Sequence, residues 1–246
     1  MPGRQAMQQD MLYIKQTKGK NIMKKMNIAI DGPAGAGKST IAKALARKLN
    51  MIYVDTGAMY RAIGLYCSRK NIAGDDAAMV EAACENICVS IVYENGEQVV
   101  CLNGENVNDE IRTAQAGAMA SAVSVHKKVR AKMVELQKKL SVDTSVVMDG
   151  RDIGTVVLPN AEVKIYLTAS SAVRAKRRYD ELVAKGQECN LATLQKEIEE
   201  RDYRDMNREI SPLKKAEDAI ELDTSELSIE EVVEKMMQIV MEKAEK

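Results

Sequence analysis

A phosphate-binding signature near the amino end constrains the fold of this chain more than any other feature. Residues Gly32–Ser39 match the pattern GxxxxGK[ST] at every position. The apolar run Asn27–Ile30 before them predicts a strand, and the apolar spacing over Lys38–Leu49 after them predicts a helix. Glycines let backbone N–H groups approach a phosphate closely, and the helix amino terminus adds its dipole. The segment therefore predicts a bound nucleoside triphosphate.

The candidate ligands of that triphosphate form one continuous run. Lys38 is expected to reach the β- and γ-phosphates, and Ser39 is expected to hold Mg²⁺ together with water molecules. Asp149 is a second candidate ligand of the metal. The predicted ATP-binding residues in this run are Gly32, Pro33, Ala34, Gly35, Ala36, Gly37, Lys38, Ser39 and Thr40.

Strand and helix patterns alternate along the rest of the chain. Helices are predicted over Ala58–Arg69 and after Ser228. This alternation predicts an α/β fold with a parallel sheet and right-handed crossovers. The further predicted strands are Met51–Val54, Val146–Met148, Val163–Leu167 and Ala219–Leu222.

Two stretches interrupt the alternation. Cys88–Tyr93 and Gln98–Leu102 are joined by a segment containing Asn95-Gly96, which predicts an antiparallel hairpin. Ala172–Leu213 is helical by propensity and rich in arginine. The second stretch is either a solvated pair of charged helices or a mobile lid that carries arginines to phosphates.

Composition and charge exclude several classes of protein. The 246 residues carry 36 basic and 36 acidic side chains, and this balance argues against capture of nucleic acid or anionic membrane by net charge. Five cysteines without a CxxC pair, and a single histidine, make no zinc set. Free thiols and the lack of a long apolar run predict a cytoplasmic protein. Residues 1–25 are polar and are expected to be a disordered extension or a leader.

The chain could be a GTPase switch, an ATP-driven motor or a small-molecule kinase. It lacks the Asn-Lys-x-Asp sequence with which GTPases read guanine. Asp149 could be the carboxylate with which a motor activates water. However, Arg151 and Asp152 follow it at once and place a guanidinium where parallel sheets bind ligands. Because a guanidinium suits the phosphate of a second substrate, the pattern favours a kinase.

These motifs resemble those of bacterial cytidylate kinases. The resemblance extends from Met26 to about Lys243, so only residues 1–25 lie outside it. The segments that carry it are Ile30–Ser39, Asp55–Arg61, Glu110–Thr113, Asp149–Val157 and Arg201–Leu213.

The resemblance implies a P-loop kinase fold with a five-stranded parallel sheet flanked by helices, an α+β acceptor-binding insert and a short helical lid. The implied core comprises residues 26–58, 124–171 and 212–246. The implied acceptor-binding domain comprises residues 59–123, and the lid region comprises residues 172–211. The implied reaction transfers a phosphoryl group from ATP to CMP or dCMP with Mg²⁺, in a monomer without nucleic-acid or membrane partners.

The resemblance also implies a role for each matching residue. Arg61 and Arg151 look like ligands of the acceptor phosphate, and Arg112 and Asp152 look like readers of cytosine. In the lid, Arg174 is expected to stack on adenine and Arg178 to approach the transferred group. The implied catalytic residues are Lys38, Arg151 and Arg178, and the implied CMP-binding residues are Thr56, Tyr60, Arg61, Arg112, Arg151, Asp152, Arg201, Asp205 and Arg208.

Two alternatives remain open from the residues alone. One is a P-loop kinase for another small acceptor, such as UMP, AMP or shikimate. The other is a nucleotide-dependent switch that uses its arginine-rich helices as a partner surface.

Overall fold

The protein is described here from a computed structural model that covers residues 25–94 and 96–244. The predicted extension therefore lies outside the described residues except for Lys25. The chain forms two compact units. The smaller is Gly57–Met133, and the larger comprises the described residues up to Thr56 and from Val134 onward. The domain and lid boundaries expected from the sequence stay a prediction.

The strands, numbered along the described chain, are β1 (Asn27–Asp31), β2 (Ile52–Asp55), β3 (Val89–Glu94), β4 (Glu97–Leu102), β5 (Glu105–Asn106), β6 (Val146–Gly150), β7 (Val163–Thr168) and β8 (Ile220–Asp223). The α-helices are α1 (Lys38–Leu49), α2 (Thr56–Arg69), α3 (Ala77–Ala83), α4 (Ala114–Val123), α5 (Lys127–Leu140), α6 (Ser171–Ala184), α7 (Leu191–Asn207) and α8 (Ile229–Ala244).

The larger unit is built on a five-stranded parallel sheet in the order β2-β6-β1-β7-β8. The predicted fold class and all five predicted strands are thus confirmed. β1 is the central strand, and its last residue Asp31 lies opposite Gly150 of β6 and Tyr166 of β7. The carboxyl ends of these strands share one edge of the sheet, which is where open α/β sheets bind ligands.

One apolar core joins the sheet to α1 and α8. Ile28 and Ile30 of β1 are fully buried, and Leu45 of α1 and Val240 of α8 belong to the same cluster. Burial of apolar side chains of this size contributes about 1.5–3 kcal/mol each. This packing holds α1, and therefore the loop that precedes it, firmly on the sheet.

The smaller unit contains an antiparallel sheet in the order β3-β4-β5. β3 and β4 pair from Val89 with Leu102 to Glu94 with Glu97, which confirms the predicted hairpin. Asn95 of the predicted turn lies outside the described residues, and Gly96 has the positive φ of 81° that such turns require. The short strand β5 was not predicted from the sequence.

Candidate active site

The phosphate-binding loop connects β1 to α1 and is enclosed by backbone. Gly32 has φ of 148°, and a Cβ there would lie 2.0 Å from the carbonyl oxygen of Leu167, so only glycine fits. Lys38 is 5% exposed and donates a hydrogen bond of 2.7 Å to the carbonyl of Pro33. Burial, together with the charge of Arg151, lowers the pKa of Lys38 well below its usual value. The loop thus holds a buried amine at the position expected to meet phosphate oxygens.

Asp149, near the end of β6, forms a network of oxygen ligands beside α1. Ser39 Oγ donates a hydrogen bond of 3.0 Å to Oδ2 of Asp149, and Tyr53 OH donates one of 2.8 Å to Oδ1. Thr56 Oγ1 donates to the main-chain carbonyl of Asp149 at 2.7 Å. Burial, with a contribution from the charge of Asp55, raises the pKa of Asp149 to about 6. Hydroxyl and carboxylate oxygens are the ligands that Mg²⁺ prefers, so Ser39 and Asp149 fit this metal.

Asp31 joins the end of β1 to the segment after Arg151. Its Oδ1 accepts a hydrogen bond of 2.7 Å from the amide of Ile153, and its Oδ2 accepts one of 2.7 Å from the amide of Gly154. Ile153–Val157 forms a single π-helical turn, a feature often found at functional sites. Asp31 was not among the site residues predicted from the sequence, although a carboxylate at the end of a central strand is a usable signal.

Two ion pairs bring four predicted acceptor residues together in the larger unit. Arg151 Nε donates to Oδ2 of Asp205 at 2.9 Å. Nη2 of Arg208 lies 3.6 Å from Oδ1 of Asp152, and both side chains are almost fully buried. Burial would raise the pKa of Asp205, but the charges of Arg151 and Arg201 hold that pKa below its usual value.

The charge of this group favours an anion. Arg151 pairs with Asp205, and Arg208 pairs with Asp152. The charge of Arg201 also acts on Asp205, so three guanidinium groups face two carboxylates and leave an excess of one positive charge. A partly buried cluster with a positive excess attracts a phosphate more strongly than the same charges would in open solvent. The arrangement can therefore bind a small phosphorylated molecule.

Three of the remaining predicted acceptor residues, Tyr60, Arg61 and Arg112, lie in the smaller unit, whereas Thr56 and Arg201 belong to the larger one. Arg61 Nη1 donates to the carbonyls of Ile111 and Thr113 at 3.3 and 3.4 Å. Arg112, in the 3₁₀ turn Glu110–Arg112, is exposed. Tyr60 is buried, and its ring lies 5.6 Å from the guanidinium of Arg130. Arg61 thus contacts the segment that carries Arg112, and their joint use with the larger unit stays a prediction.

The two arginines expected in the lid are placed differently. Arg174 is 5% exposed and donates to the carbonyls of Ala169 at 2.8 Å and Ala34 at 2.9 Å. Its Nη2 also lies 2.7 Å from Asp202. Arg178 is partly exposed and pairs with Glu181 at 2.9 Å. In this structure Arg174 supports the phosphate-binding loop from α6, and its stacking on adenine stays a prediction.

Substitution of Arg174 by alanine should weaken binding of ATP and of inorganic tripolyphosphate by the same factor, about tenfold. The reason is that Arg174 holds the loop carbonyl of Ala34, and hydrogen bonds of charged groups are worth about 1.5–3 kcal/mol. Titration calorimetry with both ligands measures the two factors. A loss confined to ATP would show instead that Arg174 contacts the adenine base.

Two features are absent from the part of the chain that the structure describes. Within residues 25–94 and 96–244, no helix is long and apolar enough to cross a membrane. In the same ranges, no three His, Cys, Asp or Glu side chains are grouped as a metal site.

Sequence comparisons place the chain among known proteins. The family model described as cytidylate kinase matches residues 28–242. The cytidylate kinase of Caldicellulosiruptor saccharolyticus is 51% identical over 88% of this chain and 96% of its own length. That of Bacillus licheniformis is 52% identical over 91% and 99%. Among solved structures, the shikimate kinase of Aquifex aeolicus aligns with 89% of this chain and 98% of its own, at 18% identity and a TM-score of 0.43.

Proposed function

Because the chain belongs to the cytidylate kinase family, we propose that it transfers the γ-phosphoryl group of ATP to CMP or dCMP. The products are ADP and CDP or dCDP. The observation that carries the proposal is the presence, in one compact unit, of the phosphate-binding loop and the cluster that pairs Arg151 with Asp205 and Arg208 with Asp152. The loop suits the donor, and the cluster suits an anionic acceptor.

On the donor side, Lys38 neutralises charge on the β- and γ-phosphates, and the backbone of the loop binds their oxygens. Ser39 and Asp149 would hold Mg²⁺, since the hydroxyl and the carboxylate already lie 3.0 Å apart. The metal, when bound, supplies charge neutralisation to the transferring phosphoryl group. Arg174 keeps the loop in shape through Ala34.

On the acceptor side, the residues divide by the part of CMP that they bind. Arg61 and Arg151 bind the phosphate, and Arg201 and Asp205 bind the ribose. Arg112 and Asp152 read cytosine, which offers an amino donor at N4 and acceptors at O2 and N3. Thr56 and Tyr60 form the wall of the site, and Arg208, paired with Asp152, binds phosphate or base.

Catalysis needs no general base in this proposal. The attacking atom is a phosphate oxygen of the acceptor, which is already ionised at neutral pH, so no proton has to be removed. The chain contributes positioning and charge neutralisation. Closure of the region 172–211 would bring Arg178 from Glu181 to the transferred phosphoryl group and exclude water.

A panel of acceptors tests the function directly. ADP release from ATP would be followed in a coupled assay with CMP, dCMP, UMP, AMP and shikimate, and without acceptor. We expect the highest kcat/KM with CMP or dCMP and little ATP hydrolysis alone. Preference for AMP, UMP or shikimate would assign another kinase, and nucleotide binding without transfer would assign a switch.

Substitution of Asp152 by asparagine should reduce the preference for CMP over UMP by about 10- to 100-fold, the range of one bidentate base contact worth about 1–3 kcal/mol. The carboxylate can accept from the N4 amino group of cytosine but not from O4 of uracil. Steady-state kinetics with both nucleotides gives the ratio. The control is Asp218→Asn, which alters an exposed carboxylate paired with Lys164 and should leave the ratio of CMP to UMP activity unchanged. An unchanged ratio in Asp152→Asn would contradict the base-reading role.

We further propose that the protein acts as a monomer in the cytoplasm. The sequence offers only free cysteines, and those of the described chain form no disulfide. Sedimentation equilibrium in the presence and absence of ATP and CMP tests the oligomeric state. A stable dimer under both conditions would contradict the proposal that the protein is a monomer.

A further inference from the structure

Asp31 lies where two functional segments meet. It is the last residue of β1, the central strand, and Gly32 of the phosphate-binding loop follows it directly. It lies beside Gly150, which immediately precedes Arg151 and Asp152. The side chain is 4% exposed, so water contributes little to its solvation.

Both carboxylate oxygens of Asp31 are used, and both bind the same segment. Oδ1 accepts from the amide of Ile153 and Oδ2 from the amide of Gly154, each at 2.7 Å. Hydrogen bonds to a charged acceptor are stronger than neutral ones, and two parallel bonds also fix orientation. The backbone that leaves Asp152 is therefore fastened to the strand that leads into the phosphate-binding loop.

The approach of this segment to Asp31 is close. A Cβ on Gly154 would lie 3.3 Å from Oδ2 of Asp31 and 3.2 Å from Cδ of Lys164, so a larger residue would push the carboxylate or the lysine aside. Burial raises the pKa of Asp31 to about 6, whereas the hydrogen bonds from the amides of Gly154 and Ile153 favour the charged carboxylate. A neutral side chain, such as that of serine or asparagine, could accept a hydrogen bond from one amide of the turn without the cost of burying a charge.

We infer that Asp31 is a positioning residue that fixes Arg151 and Asp152 relative to the phosphate-binding loop. This inference rests on the proposed function, in which these two side chains bind the acceptor. Asp31 is not among the residues proposed to bind either substrate. It acts through the amides of Ile153 and Gly154, and so couples the donor segment to the acceptor segment within one unit.

The test begins with Asp31→Asn, which keeps the shape but replaces one acceptor oxygen by an NH₂ group that faces an amide donor. We expect KM for CMP to rise about tenfold and kcat to fall about tenfold, since misplacement by about 1 Å can cost 10²-fold in rate. The Kd for ATP should change less than about threefold, because the loop keeps its backbone contacts. Hydrogen exchange of the amides in residues 151–158 should become faster.

Two further variants complete the design. Gly154→Ala crowds the same carboxylate from the other side, and we expect the same pattern with smaller factors even if Asp31→Asn does not fold. Glu162→Gln is the matched control, because Glu162 also accepts a backbone amide of β1, from Asn27 at 2.7 Å, but at the opposite end of the strand. It should leave the kinetic constants and the exchange of 151–158 unchanged.

The outcomes separate the inference from the proposed function. If both variants keep kcat and KM for CMP within about twofold of wild type, or if ATP and CMP affinities fall in parallel, Asp31 is not a positioning residue for the acceptor. If the wild-type protein phosphorylates none of the acceptors, the proposed function fails, and the kinetic role of Asp31 fails with it. Faster hydrogen exchange of residues 151–158 in Asp31→Asn would then still show that Asp31 holds this segment.

Discussion

Replacement of Lys38 by methionine should lower kcat with CMP by about 10³-fold or more, the size expected when a cation that stabilises a transferring phosphoryl group is removed. The amine of Lys38 lies inside the loop, and Lys38 is the only basic residue of Gly32–Ser39. Methionine keeps the length and apolar stem of lysine. Because it also removes a buried charge, the free energy of unfolding should change little. Single-turnover kinetics and thermal unfolding measure the two quantities.

Lys48→Met provides the matched control for Lys38→Met. Lys48 lies in the last turn of the same helix, α1, and is exposed. Its removal should leave kcat within about twofold of wild type, as is usual for surface substitutions away from a site. Near-native turnover in Lys38→Met would contradict the assignment of the phosphate-binding loop as the donor site.

Replacement of Arg151 by lysine should lower kcat/KM for CMP by about 10²–10³-fold, the cost of losing one preorganised donor at a reacting group. Arg151 uses Nε for Asp205 at 2.9 Å and Nη1 for the carbonyl of Gly150 at 3.3 Å, and it can present its remaining N–H groups to a phosphate. The single ammonium of lysine cannot reproduce this fork. The Kd for ATP should stay within about threefold of wild type. Steady-state kinetics with varied CMP, together with ATP titrations, measures both effects.

The control for Arg151→Lys is Arg204→Lys on α7. Arg204 is exposed, and the same chemical change there should leave kcat/KM for CMP unaltered. If Arg151→Lys retains wild-type kcat/KM while Arg204→Lys reduces it, the acceptor phosphate lies elsewhere on the arginine-rich surface.

The centre of the parallel sheet was predictable because β1 and β6 are buried on both faces, so Ile28–Ile30 and Val146–Met148 are uninterrupted apolar runs. β7 is apolar except for Lys164 in its first half, and β8 at the edge of the sheet is mostly exposed and contains Glu221, so their patterns are weaker. The phosphate-binding loop was predictable because its backbone geometry demands glycine at fixed spacings. These features are local, and local sequence determines them.

Contacts between distant segments were not predictable in the same way. Arg174 supports Ala34 from 140 residues away, and Asp31 binds amides more than 120 residues away. Every residue except proline has a backbone N–H group, so the sequence does not indicate which amides a carboxylate such as that of Asp31 will bind. The π-helical turn Ile153–Val157 was missed for a related reason, since it is fixed by the tertiary contact with Asp31.

The packing of α8 on α1 has a consequence for folding during synthesis. The apolar face of α1, with Ile41 and Leu45, is covered by Val240 and its neighbours, which lie about 200 residues later in the chain. At synthesis rates of about 5–20 residues per second, a ribosome needs roughly 10–40 s to make that stretch. Throughout this interval the helix that carries Lys38 and Ser39 has an uncovered apolar side. An apolar surface that stays exposed in this way makes the incomplete chain prone to aggregation.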